Sequence, residues 1–373
     1  MGGGGGKRAR EKDGYYSATP AREQKRPRRG KQHLYVALDD WDGGYSIHRL
    51  DADDILDDQE PAARGVLHRL PEAAAVRIAS PRVDGGPIIF VDANPLLRGD
   101  RAPPTFVYDA ETAALAIGPR VPERLYDLGE SIAVGDGETL YDVTSVNFHD
   151  ASLHAMSWEP NTAAGREPWE PDREWSWSRR PLAQPVPCEG GEILGYALHP
   201  DGRTIFMSTG HTTHSLDTID GTWKELGDWG LPFRGQAYFD ADLDAWVGLH
   251  RKYDRSVCCC TVPSGTRPPR CKLLREKLSR RKEEDPKHRP CLRGRPIYLA
   301  YMGDSRFALV EDIPAPLSDY DDGAGAGAVL HVTIFGLKYD DKGELRTKVR
   351  RATRSYAVSN NAFKFSHGAL FWM

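Results

Sequence analysis

The sequence predicts an all-β protein, and three observations carry the prediction. The first is residues 191–231, GEILGYALHPDGRTIFMSTGHTTHSLDTIDGTWKELGDWGL, where four short β-type runs (193–198, 204–208, 213–216 and 222–226) are separated by turn residues. His199-Pro200-Asp201-Gly202, Gly210-His211 and residues 217–221 close hairpins, because proline presets φ and glycine accepts positive φ. The second is composition: 37 Gly, 27 Pro, 9 Trp and 15 Tyr in 373 residues suit short strands joined by many turns. The third is the poverty of helical pattern, since few stretches keep a 3.6-residue apolar period over three turns. A four-run meander cannot bury both of its faces alone. It reads as one blade of a radial stack, a β-propeller, here of about six four-stranded blades.

Residues 1–32 precede this architecture and differ from it. Ten Lys and Arg against three Glu and Asp give them a net +7, which leaves −11 for the rest of a chain whose formal charge is −4. They are glycine-rich and nearly free of aliphatic residues, so they cannot bury enough surface to offset the entropy of ordering. They are read as a disordered basic tail, and residues 33–373 as the propeller. The run of glycines after Met1 places Gly6 where an acylation signal wants Ser or Thr. No apolar core of a secretory signal follows, and the longest apolar stretch, 328–337, is far too short for a membrane span. A soluble intracellular protein is expected, with no membrane association.

Strand-and-turn groups recur through residues 33–373 at the spacing of propeller blades. The first has runs at 33–40, 44–51 and 65–71, with an acidic loop at 51–60. The second has runs at 75–80, 86–93, 105–110 and 114–119, and the third at 130–137, 139–145, 152–159 and 174–181. Residues 191–231 are the fourth. The fifth has runs at 235–241, 244–250, 256–262 and 270–276, and the sixth at 296–303, 306–312, 328–340 and 344–352. A last run, 362–373, pairs with the first group and closes the ring, covering sheet edges that would otherwise stay open. A sub-motif recurs at 105–122, 170–187 and 214–232: an acidic turn, then a strand, then an exit ending in proline. Asp109 and Asp217 suit those turns, because an aspartate can accept backbone N–H groups. Trp177 and Trp223 fall on outer strands.

The segments GTWKELGDW (221–229), QAYFDADLDAWVGL (236–249), YALHPDGRTIFMS (196–208) and YMGDSRFALVE (301–311) resemble a plant family of uncharacterised, kelch-like β-propeller proteins that is expanded in grasses. The resemblance covers roughly residues 33–358 and implies a propeller without an established chemistry. The end FSHGALFWM (365–373) is similar to a strand of the propellers associated with plant F-box proteins. An F-box would need a helical motif longer than the basic tail, and residues 1–32 hold no such pattern. A direct role as a ubiquitin-ligase adaptor is not expected.

Six cysteines are present: Cys188, Cys258, Cys259, Cys260, Cys271 and Cys291. On a strand, Cys258 and Cys260 point one way and Cys259 the other. Small buried hydrophobes are the plain reading and a thiol-based redox role the alternative. No pair of C-x-x-C units suggests zinc. Asp240-x-Asp242-x-Asp244 has the opening spacing of a calcium loop, but Ala245 and Arg251 stand where glycine and a bidentate acid are needed; a hairpin turn accounts for it. Gly303-Asp304-Ser305 matches part of a hydrolase nucleophile motif without its companion blocks. His211-x-x-His214 has helical metal spacing in β-type sequence, where i and i+3 face opposite sides. No phosphate loop and no dinucleotide fingerprint occur. No cofactor, metal or catalytic residue is therefore assigned.

Two kinds of candidate interaction residue remain. Lys7, Arg8, Arg10 and Lys25, Arg26, Arg28, Arg29 form compact basic clusters that read as nuclear import signals, with a solubilising arm as the plain alternative. A second basic stretch, 267–295, includes Arg267, Arg270, Arg280, Arg281 and Lys282. It reads as an exposed linker, with a short helix at 273–284 carrying Leu274 and Leu278, or as a patch for an acidic partner. Trp169, in a Pro-flanked acidic loop within the Trp-rich stretch 158–177, is a candidate binding anchor. Trp223, Trp229, Trp246, Tyr238 and Phe239 are expected to fill space between blades. The expected function is a monomeric, non-catalytic protein-interaction module of nucleus or cytoplasm whose partner is a protein. An enzyme with its site in the propeller channel, and a nucleic-acid-associated protein acting through tail and loop, are the alternatives.

Overall fold

The computed structural model describes residues 1–2, 33–40, 44–57, 68–69, 71, 104–109, 114–120, 122, 130–135, 139–145, 152–162, 168, 172–183, 193–253, 256–264, 266–280, 297–314, 328–358 and 369–372. Lys31–Met373 form one compact unit; of Met1–Gly30, only the first two residues are described.

Strands are numbered in chain order. β1 (His33–Asp40) and β2 (Gly44–Asp51) form a hairpin with His33 opposite Asp51. Leu34, Val36 and Leu38 of β1 are buried on one face, as the two-residue period of a strand requires. A short helix, α1 (Ala52–Asp57), follows at once. Asp51 caps it: its Oδ1 accepts the N–H groups of Asp53 at 2.9 Å and Asp54 at 3.3 Å. The two acids in the first turn suit the positive end of the helix, and Ile55 and Leu56 give it a buried side. The expected acidic loop at 51–60 is thus corrected over its first part.

β3 (His68–Arg69) was expected to complete this first group. Instead it runs parallel to β21 (Leu345–Val358) of the sixth group, with His68 opposite Tyr356. The helix explains the change. It packs against β21, and Arg354 donates to the Asp54 carbonyl at 2.9 Å, so the chain leaving β2 is carried to the neighbouring sheet.

The second group is a hairpin, β4 (Pro104–Asp109) and β5 (Ala114–Arg120); the expected runs at 75–80 and 86–93 lie outside the described residues. The third is a four-stranded antiparallel meander of β6 (Glu130–Gly135), β7 (Thr139–Ser145), β8 (Ser152–Pro160) and β9 (Arg173–Arg180). The fourth comprises β10 (Gly195–Leu198), β11 (Thr204–Ser208), β12 (Thr213–Asp217) and β13 (Trp223–Gly227). Its turns form as read. Asp201 Oδ1 accepts from the N–H groups of Arg203 and Thr204, both at 2.8 Å, and Asp217 Oδ1 from Ile219 N–H at 2.9 Å.

The fifth group is β14 (Phe233–Asp240), β15 (Ala245–His250), β16 (Val257–Cys260) and β17 (Cys271–Leu273). The sixth is β18 (Ile297–Tyr301), β19 (Arg306–Pro314), β20 (Ala328–Tyr339) and β21. Finally β22 (Ala369–Trp372) returns to β1, antiparallel, with Trp372 opposite Leu34 and Ala369 opposite Ala37. The two ends of the propeller therefore meet in one sheet, ordered β2-β1-β22.

The innermost strands β10 and β14 lie side by side in parallel and join the fourth and fifth groups into one eight-stranded sheet. Close approach requires glycine here: a Cβ on Gly195 would sit 2.5 Å from the Phe233 carbonyl oxygen.

The core lies between groups: three clusters join groups consecutive in the chain, and a fourth joins the sixth group to the first. Val143 and Leu153 of the third pack with Ile205, Met207 and Leu216 of the fourth. Phe206 of the fourth meets Phe233, Trp246, Cys258 and Cys260 of the fifth. Val247 and Cys259 of the fifth meet Leu309, Phe335 and Leu337 of the sixth. Val310 and Val332 of the sixth meet Leu34, Val36 and Leu50 of the first. β5 of the second touches β9 of the third. This radial order is that of an all-β propeller. The alternating cysteines serve both seams, with Cys258 and Cys260 facing the fourth group and Cys259 the sixth.

Candidate functional site

The connection from β16 to β17 stays out of the sheet because Pro263, Pro268 and Pro269 lack the N–H a ladder needs. Trp229 pins it: the indole N–H donates to the Thr266 carbonyl at 2.9 Å. Gly227 keeps that contact open, since a Cβ there would lie 2.8 Å from the indole nitrogen.

Between this connection and β20 lies a pocket of about 640 Å³, lined among others by Pro263, Thr266, Arg267, Arg270, Lys272 and Tyr339. Lys272 Nζ donates to the Gly343 carbonyl at 2.8 Å and stands 4.4 Å from the centre of the Tyr339 ring, a cation–π contact. The Tyr339 hydroxyl lies 3.5 Å from Cys259 Sγ. Burial pushes the Tyr339 phenol up, and the bond to Cys259 adds to the shift, so it stays neutral at physiological pH. Arg267 and Arg270 are exposed, and among the described residues no ion pair holds either of them. The pocket therefore offers three cations beside a neutral aromatic wall, a combination that suits carboxylates.

The sequence named Arg267 and Arg270, and the structure brings them together. Arg280 lies elsewhere. Its backbone N–H donates to Glu311 Oε2 at 2.8 Å while Ser279 Oγ donates to Oε1. The expected exposed linker or helix is corrected here: 274–280 is irregular, and Leu274, Leu278 and Ser279 are buried in the seam to the sixth group. Two leucines four apart fit a helix, but an extended chain also delivers both into this seam, and Glu311 supplies the acceptor that holds it. Lys7, Arg8, Arg10, Lys25, Arg26, Arg28, Arg29, Trp169, Arg281 and Lys282 lie outside the described residues. Tyr339 went unnoticed in the sequence, since nothing local ties it to a segment nearly seventy positions earlier. Lys272 was visible only as one charge in a basic run.

Other candidates resolve into structural roles. Ser305 is fully buried, and its hydroxyl donates to Asp240 Oδ1 at 2.9 Å and Asp242 Oδ2 at 3.3 Å. It ties the β18–β19 turn to the β14–β15 turn instead of standing ready as a nucleophile. Asp240 Oδ1 also accepts from Leu243 N–H at 2.9 Å, so the three aspartates form the expected hairpin turn. His214 is buried in β12 while His211 is exposed in the turn before it. Among the described residues no group of three or more His, Cys, Asp or Glu is placed to hold a metal. Trp158 and Trp175 form an edge-to-face pair across β8 and β9, 5.5 Å between centroids, and Trp158 is 44% exposed. Trp246, by contrast, is fully buried between groups, as expected. No helix among the described residues is long and apolar enough to cross a membrane.

Antiparallel sheets in radial order, shut by the last strand on the first, define a β-propeller with an outer-edge basic pocket. The chain belongs to the family described as "Protein of unknown function (DUF1668)", whose model matches residues 31–356. No curated protein matches it. Among solved structures it is similar to a chain of a nidogen/laminin complex, at 11% identity and a TM-score of 0.32, covering 91% of this chain and 98% of that one. It is also similar to the WD40 domain of SCAP from fission yeast, at 8% identity and a TM-score of 0.26, covering 66% and 57%. At these TM-scores neither likeness adds to the fold assignment, which rests on the strand pairings.

Proposed function

We propose that this protein is a non-catalytic interaction module that binds an acidic segment of a partner protein in the pocket between the 261–270 connection and β20. The observation that carries the reading is the pair of exposed arginines, Arg267 and Arg270, without a carboxylate partner among the described residues, beside Lys272 and the Tyr339 ring. Guanidinium groups bind carboxylates in a bidentate fork. The prolines of the rim hold them on a connection that loses little freedom on binding. The basic clusters at Lys7–Arg10 and Lys25–Arg29 would direct the module to the nucleus. On this reading the module is a kelch-like propeller of a plant family expanded in grasses, a likeness supported by segments such as GTWKELGDW and YMGDSRFALVE.

The test is fluorescence anisotropy with a labelled Asp/Glu-rich dodecapeptide. Binding should weaken as salt rises, and the double substitution Arg267→Glu with Arg270→Glu should weaken it at least tenfold while circular dichroism stays unchanged. Equal affinity in the folded double variant would sink the proposal.

A further inference from the structure

The outer edges of two neighbouring sheets differ. β21 of the sixth group is covered by β3, whereas β17 ends the eight-stranded sheet and no strand among the described residues lies beyond it. All three residues of β17 are exposed. An uncovered edge keeps main-chain N–H and C=O groups that a further strand can pair. The register says which groups these are. Cys271, Lys272 and Leu273 lie opposite Cys260, Cys259 and Cys258 of β16. One step further along, the Leu274 N–H donates to the Val257 carbonyl at 2.8 Å, which marks that pair as hydrogen-bonded. Bonded and non-bonded pairs alternate in an antiparallel ladder. Cys259–Lys272 is therefore the next bonded pair, and the main-chain groups of Cys271 and Leu273 point away from β16. Among the described residues no hydrogen bond takes them up.

The side chains of this edge alternate as well. Arg270 and Lys272 both line the pocket, and Lys272 lies over the Tyr339 ring. Cys271 and Leu273 stand on the opposite face, where Leu273 is 39% exposed. The edge thus presents cations on one face and apolar surface on the other. We propose that the acidic segment of the partner binds as an added β-strand, antiparallel to β17. Its acidic side chains, at alternate positions, lie over Arg270 and Lys272, and its apolar ones lie beside Leu273. This rests on the acidic-segment reading above and adds the conformation and the pattern that the site selects. In strand addition the main-chain bonds hold any extended chain, and side chains on the two faces choose among them. A strand as short as β17 offers few such bonds, so the cations decide which segment stays. A helical segment of equal charge would meet the arginines but could not pair with the edge.

The experiment measures anisotropy with the full chain and a labelled dodecapeptide of alternating Glu and Val. A peptide residue paired opposite Cys271 or Leu273 shares its face, so the valines bring their N–H groups to β17 and the glutamates turn theirs away. N-methylation of the valines should weaken binding about tenfold, and N-methylation of the glutamates less than about threefold, although the charge is the same in both. On the protein, Leu273→Pro removes an outward N–H that β16 does not use, and an edge strand tolerates proline at such a position. It should bind about fivefold more weakly than Leu273→Ala, which keeps that N–H; this is the worth of one hydrogen bond. Should Leu273→Pro not fold, the two methylated peptides decide alone. Equal affinity for those two peptides, tighter binding of the valine-methylated one, or a folded Leu273→Pro that matches Leu273→Ala overturns the proposal. If the double substitution Arg267→Glu with Arg270→Glu still weakens binding in that case, the acidic-segment reading stands without it. An alternating peptide that does not bind at all overturns both.

Discussion

Replacing Trp246 by Ala probes the seam between the fourth and fifth groups. The side chain is fully buried, meets Phe206 edge-to-face with 5.0 Å between centroids, and donates through its indole N–H to the Leu198 carbonyl at 3.0 Å. It thereby bonds the fourth group covalently distant from it but adjacent in space. A buried Trp removes about 150–250 Å² from water, which at about 25 cal/mol per Å² is about 4–6 kcal/mol. Measured Trp→Ala losses in cores run about 3–5 kcal/mol, and the hydrogen bond contributes about 1 kcal/mol. The expected loss is therefore about 4–6 kcal/mol, a large share of the stability of an ordinary domain. Urea denaturation followed by far-ultraviolet circular dichroism gives the change. A double-mutant cycle with Phe206→Ala should return about 0.5–1.5 kcal/mol of coupling from the aromatic pair. A loss under about 1.5 kcal/mol with no coupling would refute the packing of this seam.

Deleting residues 369–373 should uncover the edge of β1 and lower the thermal midpoint, with Leu34, Val36 and their partners in the sixth group becoming open to proteolysis; an unchanged digestion pattern would count against closure by β22. Stability should fall as pH drops from 7 toward 5. Burial, helped by the Arg280 guanidinium and opposed by Glu311, holds His331 below its ordinary value of 6.5. The unfolded chain then binds that proton first, so this contribution is present above about 6.5 and is lost as pH falls toward the folded value. His48, lowered by burial against its bond to the Pro71 carbonyl, acts with the same sign. His331→Gln, which retains a partner for Ser355 Oγ, should flatten the fall, as read by urea midpoints across pH; an equally steep fall would contradict it.

Where turn chemistry is local, the sequence was sufficient. Asp201 and Asp217 each bind N–H groups two residues on, so the hairpins of the fourth group could be placed from residue type alone. The return of the last strand to the first was legible too, because the run at 362–373 reads as the start of a blade and pairing it with the first group covers open edges; within it, Ala369–Trp372 lies on β1. The misses share a cause. Helix α1 is under two turns long, too short for a periodic signal, and its cap Asp51 is hidden among other acids. β3 is two residues long, and its partner depends on where that helix carries the chain. Leu274 and Leu278 carry an i, i+4 spacing that helix and extended chain both satisfy. In the candidate site, Arg267 and Arg270 stood out as charges, whereas Tyr339 joins them only through the packing of β20 against the fifth group.

The pairing of Leu34 with Trp372 spans 338 positions. During synthesis, β1 pairs at once with β2 but must wait more than three hundred residues for its second neighbour, β22. Loop-closure entropy slows such a long-range contact, and through that interval a strand of alternating apolar residues faces the cell with one side open. An edge left open for that long is an expected site of aggregation in any product truncated before residue 369, and shutting the ring late is what creates it.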